Sequence, residues 1–239
     1  MDRLTRRELK QDEFREKMES LEQYARKHWR PLTLGGVVVV VAVGLVVGLK
    51  RYSARQEAAA NVMLGAALKT FNAYVGTVAP GTLSPGDQSF ATAQAKYQKA
   101  LGEFQQVIAK YPRTDAADYA RIHAAFCEAQ LGKDTEAIQL LEQAARNSHR
   151  EIASLAKFAL ANEYAKTGKT AEAEKIYQEL SQHPTLAVPR ATALMAMAQM
   201  YSSQQPARAR QIYAQLEKEY TGHPTVIAAI KQQLAALPN

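Results

Sequence analysis

Along most of the chain, apolar residues recur at steps of three and four, the spacing that lines up side chains on one face of an α-helix. This pattern predicts helices over 54–75, 90–111, 114–131, 134–147, 150–167, 170–182, 187–203 and 206–221, with 224–237 as a capping helix. The fold class it predicts is all-α. One stretch departs from the pattern: "LTLGGVVVVVAVGLVVGL", residues 32–49, is apolar throughout and is closed by Arg30 on one side and Lys50-Arg51 on the other.

As a helix this run rises roughly 27 Å, close to a hydrocarbon core of about 30 Å. Its Val and Leu residues favour insertion by on the order of 4 to 7 kcal/mol, partly offset by its glycines. Trp29 and Tyr52 bracket it where amphipathic rings settle at the membrane interfaces. The preceding leader is too long for the basic region of a cleaved signal, and Lys50-Arg51 stand where a small-residue cleavage site belongs, so an uncleaved anchor is expected. A single N-terminal transmembrane helix is therefore predicted. Basic residues in the short leader place the N-terminus on the cytoplasmic side and the rest of the chain beyond the membrane. The division expected is a leader at 1–31, a transmembrane helix at 32–49 and a helical domain at 50–239. No helix breaker interrupts "KRYSARQEAAANVML" before Gly65, so the first helix of that domain is expected to run straight on from the span.

Three further features belong to this end of the chain. Phe14, Met18, Leu21, Ala25 and His28 form a narrow apolar seam in the leader, open to three readings: a helix on the membrane surface, a helix paired with a partner, or a solvated extension. Gly44 and Gly48 form a GxxxG pair that lets two spans approach closely, so a homodimer is one partner to consider. "GTVAPGTLSPGDQSF" holds Pro-Gly pairs that forbid helix and predict a long surface loop at 76–89.

Beyond residue 54 the chain repeats. Ala137, Ala173 and Ala209 are one period of thirty-six residues apart, as are Leu141, Tyr177 and Tyr213, and Ala144, Leu180 and Leu216; Ala100, Phe104 and Val107 form a leading copy. The preceding helices repeat through Ala125, Ala161 and Met197, and Gly132 and Gly168 mark equivalent turns. A small residue followed four positions later by a large one suits a helix crossed closely by another.

The repeat also disposes of a nucleotide-site signal. Gly168-Lys169-Thr170 resembles the end of a phosphate-binding loop, but such a loop needs a second glycine five positions earlier and a preceding buried strand. Position 163 is Glu, and "ASLAKFALANEYA" reads as helix. The stretch is read instead as a turn between helices, with Gly168 as the C-cap, Lys169 exposed and Thr170 as the next N-cap.

Composition adds little. The net charge is +7, yet Lys and Arg are interspersed with Asp and Glu, which argues for solvated helix faces and against nucleic acid. Cys127 stands alone, excluding an internal disulfide, and lies on an apolar face where a buried core thiol is expected. His28, His123, His149, His183 and His223 are dispersed, and His183-Pro184 and His223-Pro224 suit helix caps. No catalytic set, metal site or cofactor is expected.

Paired helices of about thirty-four residues, with a small residue and then an aromatic four later in the second helix, resemble tetratricopeptide repeats. The matching positions are Ala100/Phe104, Ala137/Leu141, Ala173/Tyr177 and Ala209/Tyr213, although the early Trp is absent. The resemblance implies a solenoid of about four helix pairs plus a capping helix, with the first helices lining a concave face. Groove-facing positions then fall on Tyr119, Ile122 and Phe126, on Leu155, Phe158, Asn162 and Lys166, and on Leu194 and Tyr201. An extended peptide or a partner helix with apolar anchors suits such a groove.

The layout of leader, anchor and repeat domain resembles the YfgM-type ancillary subunits of the bacterial Sec translocon. That resemblance implies a bacterial inner-membrane protein whose periplasmic domain meets translocon subunits, a periplasmic chaperone or exported chains. A scaffold for cell-envelope assembly or division is the alternative, and a membrane-tethered regulator sensing through the leader is a third.

Overall fold

A computed structural model of the chain describes residues 15, 17, 18, 29–76 and 88–237. Nine helices stand among the described elements of the main body: α1 (Trp29–Phe71), α2 (Ala93–Lys110), α3 (Asp115–Gln130), α4 (Asp134–Ala144), α5 (Arg150–Lys166), α6 (Thr170–Gln182), α7 (Arg190–Tyr201), α8 (Pro206–Glu219) and α9 (Pro224–Ala235). Two compact units divide the chain, Met1–Arg55 and Gln56–Asn239.

In the first unit, Arg15, Lys17 and Met18 of the leader are helical and exposed, while Phe14, Leu21, Ala25 and His28 of the expected seam lie outside the described residues. The helix α1 is long and apolar enough to cross a membrane; the most apolar 18-residue window within Val37–Phe71 has a mean hydropathy of 1.9, and none of that window is buried within the protein. Val40 and Leu49 are about as open as an isolated helix leaves them, at 71% and 67% exposure. Bare apolar side chains in this density suit a lipid environment, where a helix satisfies all its own backbone bonds. A Cβ added at Gly44 or Gly48 meets nothing within 4 Å.

The second unit begins inside α1. As expected, the helix continues without a break past the apolar run, and Ala60, Leu64 and Ala67 turn inward against Ala100, Phe104, Ala116 and Ala120. It ends earlier than the periodicity suggests, at Phe71 instead of 75. Tyr74–Val75 (β1) leave the helix to pair in parallel with Ser89–Phe90 (β2), through Tyr74 N–H to Gln88 O at 3.0 Å and Gly76 N–H to Phe90 O at 2.9 Å. The pairing pins the two ends of the 76–89 loop, whose residues 77–87 lie outside the described ones.

The repeat positions form the spine of the core. All twelve residues of the series Ala100/Phe104/Val107, Ala137/Leu141/Ala144, Ala173/Tyr177/Leu180 and Ala209/Tyr213/Leu216 are at most 3% exposed. The helices pair as α1 (from residue 56) with α2, α3 with α4, α5 with α6 and α7 with α8, and α9 closes the stack. From α2 onward neighbours in sequence pack side by side, α1 joins α2 through the cluster of Ala60, Leu64, Ala100 and Phe104, and α3 touches α5, α5 touches α7 and α7 touches α9. The first helices of successive pairs therefore line one side of the stack.

Carboxylates bind one repeat to the next. Both oxygens of Glu57 accept from the N-terminus of α3, from Asp115 N–H and Ala116 N–H at 2.9 Å each. One period apart, Asp115 and Glu151 serve the following junctions: Asp115 meets His149 Nδ1 at 2.5 Å, and Glu151 accepts from Ala187 N–H at 2.7 Å. Unsatisfied N–H groups at a helix start make it an anion site, and at α3 the anion is Glu57 of the preceding repeat.

The Gly168-Lys169-Thr170 turn is a helical turn. Gly168 has φ +80°, Lys169 N–H reaches Tyr164 O at 2.8 Å and Gly168 N–H reaches Ala165 O at 3.3 Å. Gly132 repeats the geometry at φ +79°, with Lys133 N–H on Glu128 O at 2.8 Å. These paired bonds end a helix on a left-handed residue, which glycine adopts without steric cost. Lys169 is exposed, its Nζ 5.3 Å from the centre of the Tyr164 ring. The N-cap, however, is Lys169 and not Thr170, which is the first residue of α6. The histidines do not cap with their rings either: His223 sits at the N-cap of α9 without a side-chain bond and leans on Tyr220, and His183 ends α6 through its backbone N–H.

Candidate functional site

The side of the stack formed by α3, α5 and α7 carries the candidate site, and the register of these helices decides which residues face it. Between α3 and α4 a five-residue step joins Glu128 O to Lys133 N–H, and between α5 and α6 the same step joins Tyr164 O to Lys169 N–H. Between α7 and α8 the step is four residues, from Tyr201 O to Gln205 N–H at 2.8 Å. That turn lacks the left-handed glycine of the other two, so thirty-six residues separate equivalent positions of α3 and α5, and thirty-seven separate those of α5 and α7. Ile122, Phe158 and Met195 then form one row across the helices, Phe126, Asn162 and Gln199 a second, and Gln130, Lys166 and Ser203 a third.

This register corrects part of the sequence reading. Leu194 and Tyr201 are core residues, 5% and 1% exposed, packed among Met197, Ala198, Tyr213 and Leu216. Tyr201 stands where Tyr164 and Glu128 stand in the earlier repeats, and Ala198, rather than Met197, matches Ala125 and Ala161. The groove positions that the thirty-six-residue period missed on α7 are Thr192, Met195 and Gln199; the absent glycine after Tyr201 is the signal that could have found them.

The other expected residues lie along this side with unequal exposure. Tyr119 and Ile122 are half-buried, each supporting a core cluster. Phe126 is 46% exposed, its ring edge-on to Phe71 at 5.4 Å and to Tyr97 at 6.0 Å. Leu155 is half-buried, and Phe158 packs edge-on against Tyr177 at 6.1 Å. Asn162 is exposed, and its Oδ1 accepts from the Tyr177 hydroxyl at 2.6 Å. Lys166 Nζ lies 2.6 Å from Asp134 Oδ1 and 3.0 Å from Glu163 Oε1. The hydrogen bond to Asp134 holds the lysine pKa above its ordinary value and the aspartate below its own, so both stay charged.

A groove of about 450 Å³ brings Ile122, Phe126, Asn162 and Lys166 together with Phe71, Leu141, Gln130 and Glu163. Its lining is mostly apolar with a few polar side chains, the composition of a recognition site. Further along the same side a recess of about 240 Å³ is lined by Phe158, Thr192, Met195, Gln199 and Gln233.

One wall of the groove holds a residue that the sequence reading did not single out for this role. His123 stacks on Phe104 at 5.4 Å and 17° and meets the edge of Phe71 at 5.2 Å. Burial lowers its pKa from the ordinary value, which favours the neutral ring. Cys127, one position beyond Phe126, is fully buried, and burial followed by the Glu128 charge pushes its thiol up to about 12. A thiol so poised is a core residue and not a nucleophile. Among the described residues no three His, Cys, Asp or Glu side chains stand together as a metal site.

No curated protein and no solved structure matches the chain. Residues 192–223, which span most of α7, all of α8 and the N-cap of α9, match the tetratricopeptide repeat family. Residues 192–223 are thus similar to a tetratricopeptide repeat, and the helices around them stack as a tetratricopeptide-like solenoid, which supports a protein–protein interaction module.

Proposed function

We propose that this protein is a membrane-anchored interaction module on the extracytoplasmic side of a bacterial inner membrane, where it helps pass exported proteins from the translocon to a periplasmic chaperone. The observation that carries the interaction role is the groove, in which Phe126 and Asn162 are exposed beside a half-buried apolar floor. A concave, mostly apolar lining with a few polar groups is the composition of a binding site. The anchor reading is supported by the apolar length of α1, and the orientation by the basic residues of the leader. The place beside the translocon rests on the resemblance of the whole layout to the YfgM-type subunits.

In-cell crosslinking of the full-length protein, followed by gentle solubilisation and mass spectrometry, tests this reading against a truncation beginning at Ala54. Translocon subunits and a periplasmic chaperone are expected with the full chain and not with the truncation. Division or outer-membrane assembly proteins retained by both would replace it with an envelope scaffold.

A further inference from the structure

Resting on the reading of α1 as a membrane anchor, we propose that one edge of the repeat domain lies against an anionic lipid surface. It is the edge of the loops that join each helix pair to the next, with Arg113, Arg146 and Arg150 on headgroup phosphates and Leu186 in the interface. Three observations carry the assignment. The first is where the chain enters the domain. Glu57, the second residue of this unit, accepts from Asp115 N–H and Ala116 N–H, so the entry point stands beside the loop between α2 and α3. His149 Nδ1 on Asp115 brings in the loop between α4 and α5, and the Arg150 guanidinium, donating to Pro184 O at 3.3 Å, brings in the loop between α6 and α7. Lys50 to Arg55 separate the end of the apolar run from Gln56, about 10 Å as a helix. The tether therefore holds this edge within reach of a lipid surface.

The second is charge. Arg113, Arg146 and Arg150 are exposed, and among the described residues none of the three has an ion-pair partner. The carboxylates around them are turned to other uses: Glu57 to the start of α3, Asp115 to His149, Asp118 to Arg121 and Glu151 to Ala187 N–H. Positive charge is left facing solvent along successive junctions. An anionic surface supplies the counter-charge, each basic side chain near it strengthening attachment about fivefold.

The third is Leu186, which is 93% exposed. A loose loop would let such a side chain fold back onto the domain, but this loop is fixed. Glu151 accepts from Ala187 N–H at 2.7 Å, Thr185 N–H donates to Val188 O at 3.1 Å, the Ser154 and Thr185 hydroxyls meet at 2.8 Å, and Val188 is buried. Pro184 and Pro189 stiffen both ends. An apolar side chain held out beside cations suits a bilayer interface, where the cations meet headgroups and the apolar group enters the acyl boundary.

The test uses the full chain in vesicles of phosphatidylcholine with about one third phosphatidylglycerol. The fluorophore nitrobenzoxadiazole is placed on Ala187→Cys, beside Leu186, or on Gln204→Cys, an exposed position in the turn at the opposite end of the helices. The buried Cys127 thiol does not compete for the label. Lipid carrying a nitroxide on its headgroup is expected to quench position 187 and not position 204. Arg113→Gln, Arg146→Gln and Arg150→Gln together are expected to lower the ratio of docked to free domain, read from the quenched fraction, about a hundredfold, and Leu186→Ser about fivefold or more, with circular dichroism unchanged. Pure phosphatidylcholine, or salt at about 0.5 M, is expected to lower it likewise. Quenching at neither position, equal quenching at both, or quenching that the arginine variant leaves unchanged each overturns the proposal. Flotation of the vesicles separates the causes: a chain that fails to float refutes the anchor and the edge with it, whereas a chain that floats with position 187 unquenched refutes the edge alone. An acidic protein crosslinked from position 187 in cells, and lost with the arginine variant, would then take the place of the lipid.

Discussion

Ala100, Ala137, Ala173 and Ala209 occupy the same place in four helices, each with no exposed surface. Interiors packed to crystal density have no room for added methylenes. Ala173→Leu is therefore expected to destabilise the repeat domain by about 1–3 kcal/mol, or more if the helices must separate, read as a lower urea midpoint with unchanged slope. Single residues also set the pH response. Because the folded state lowers the His123 pKa, the unfolded chain binds a proton that the folded chain refuses between the two values. Stability contributed here is complete above the unfolded value of about 6.5 and is lost as pH falls toward the folded one. Urea midpoints measured from pH 7.5 to 5 are expected to fall less steeply in His123→Phe than in the unaltered chain; parallel curves would refute the assignment. At this scale the sequence was informative wherever one face decides the outcome: the buried spine was legible from its four-then-three spacing, and Phe126 and Asn162 from their place on the first helices. Leu194 and Tyr201 were misplaced because a one-residue deletion in a turn rotates every position of α7 by about 100°, and a fixed period cannot register it.

Elements behave as their ends dictate. Gly168 holds φ +80° with open space around a prospective Cβ, so Gly168→Ala carries only backbone strain, about 1–2 kcal/mol. Gly65 lies inside α1 with equally open space and no positive φ, and Gly65→Ala is expected to stabilise by about 0.5–1 kcal/mol. Opposite shifts of the melting temperature check both at once; shifts of one sign would contradict the backbone account. Glu57→Ala removes both carboxylate bonds from the start of α3 and is expected to cost about 1–3 kcal/mol, with hydrogen-exchange protection lost first at the N-terminus of α3. Helix spans were legible in the sequence to within a few residues because caps, glycines and prolines stand at their ends. The strand pair at Tyr74–Val75 and Ser89–Phe90 was not, since two residues on each side carry no periodicity of their own and are joined only by closing a loop.

For the whole molecule, the compact unit that starts at Gln56 includes the last part of α1. A fragment beginning there is expected to unfold cooperatively. One beginning at Ala73 loses Ala60, Leu64 and Ala67 from the first core cluster and is expected to bind a hydrophobic dye and melt broadly. The central claim is that the side formed by α3, α5 and α7 captures a protein. A photoreactive amino acid placed at position 126 in the full-length chain, and a second at the exposed Gln178 on α6, test it most directly. The account expects a discrete protein adduct in living cells from position 126, absent from position 178 and lost when Asn162→Asp is added. Adducts of equal yield from both positions, or none from position 126, would contradict it.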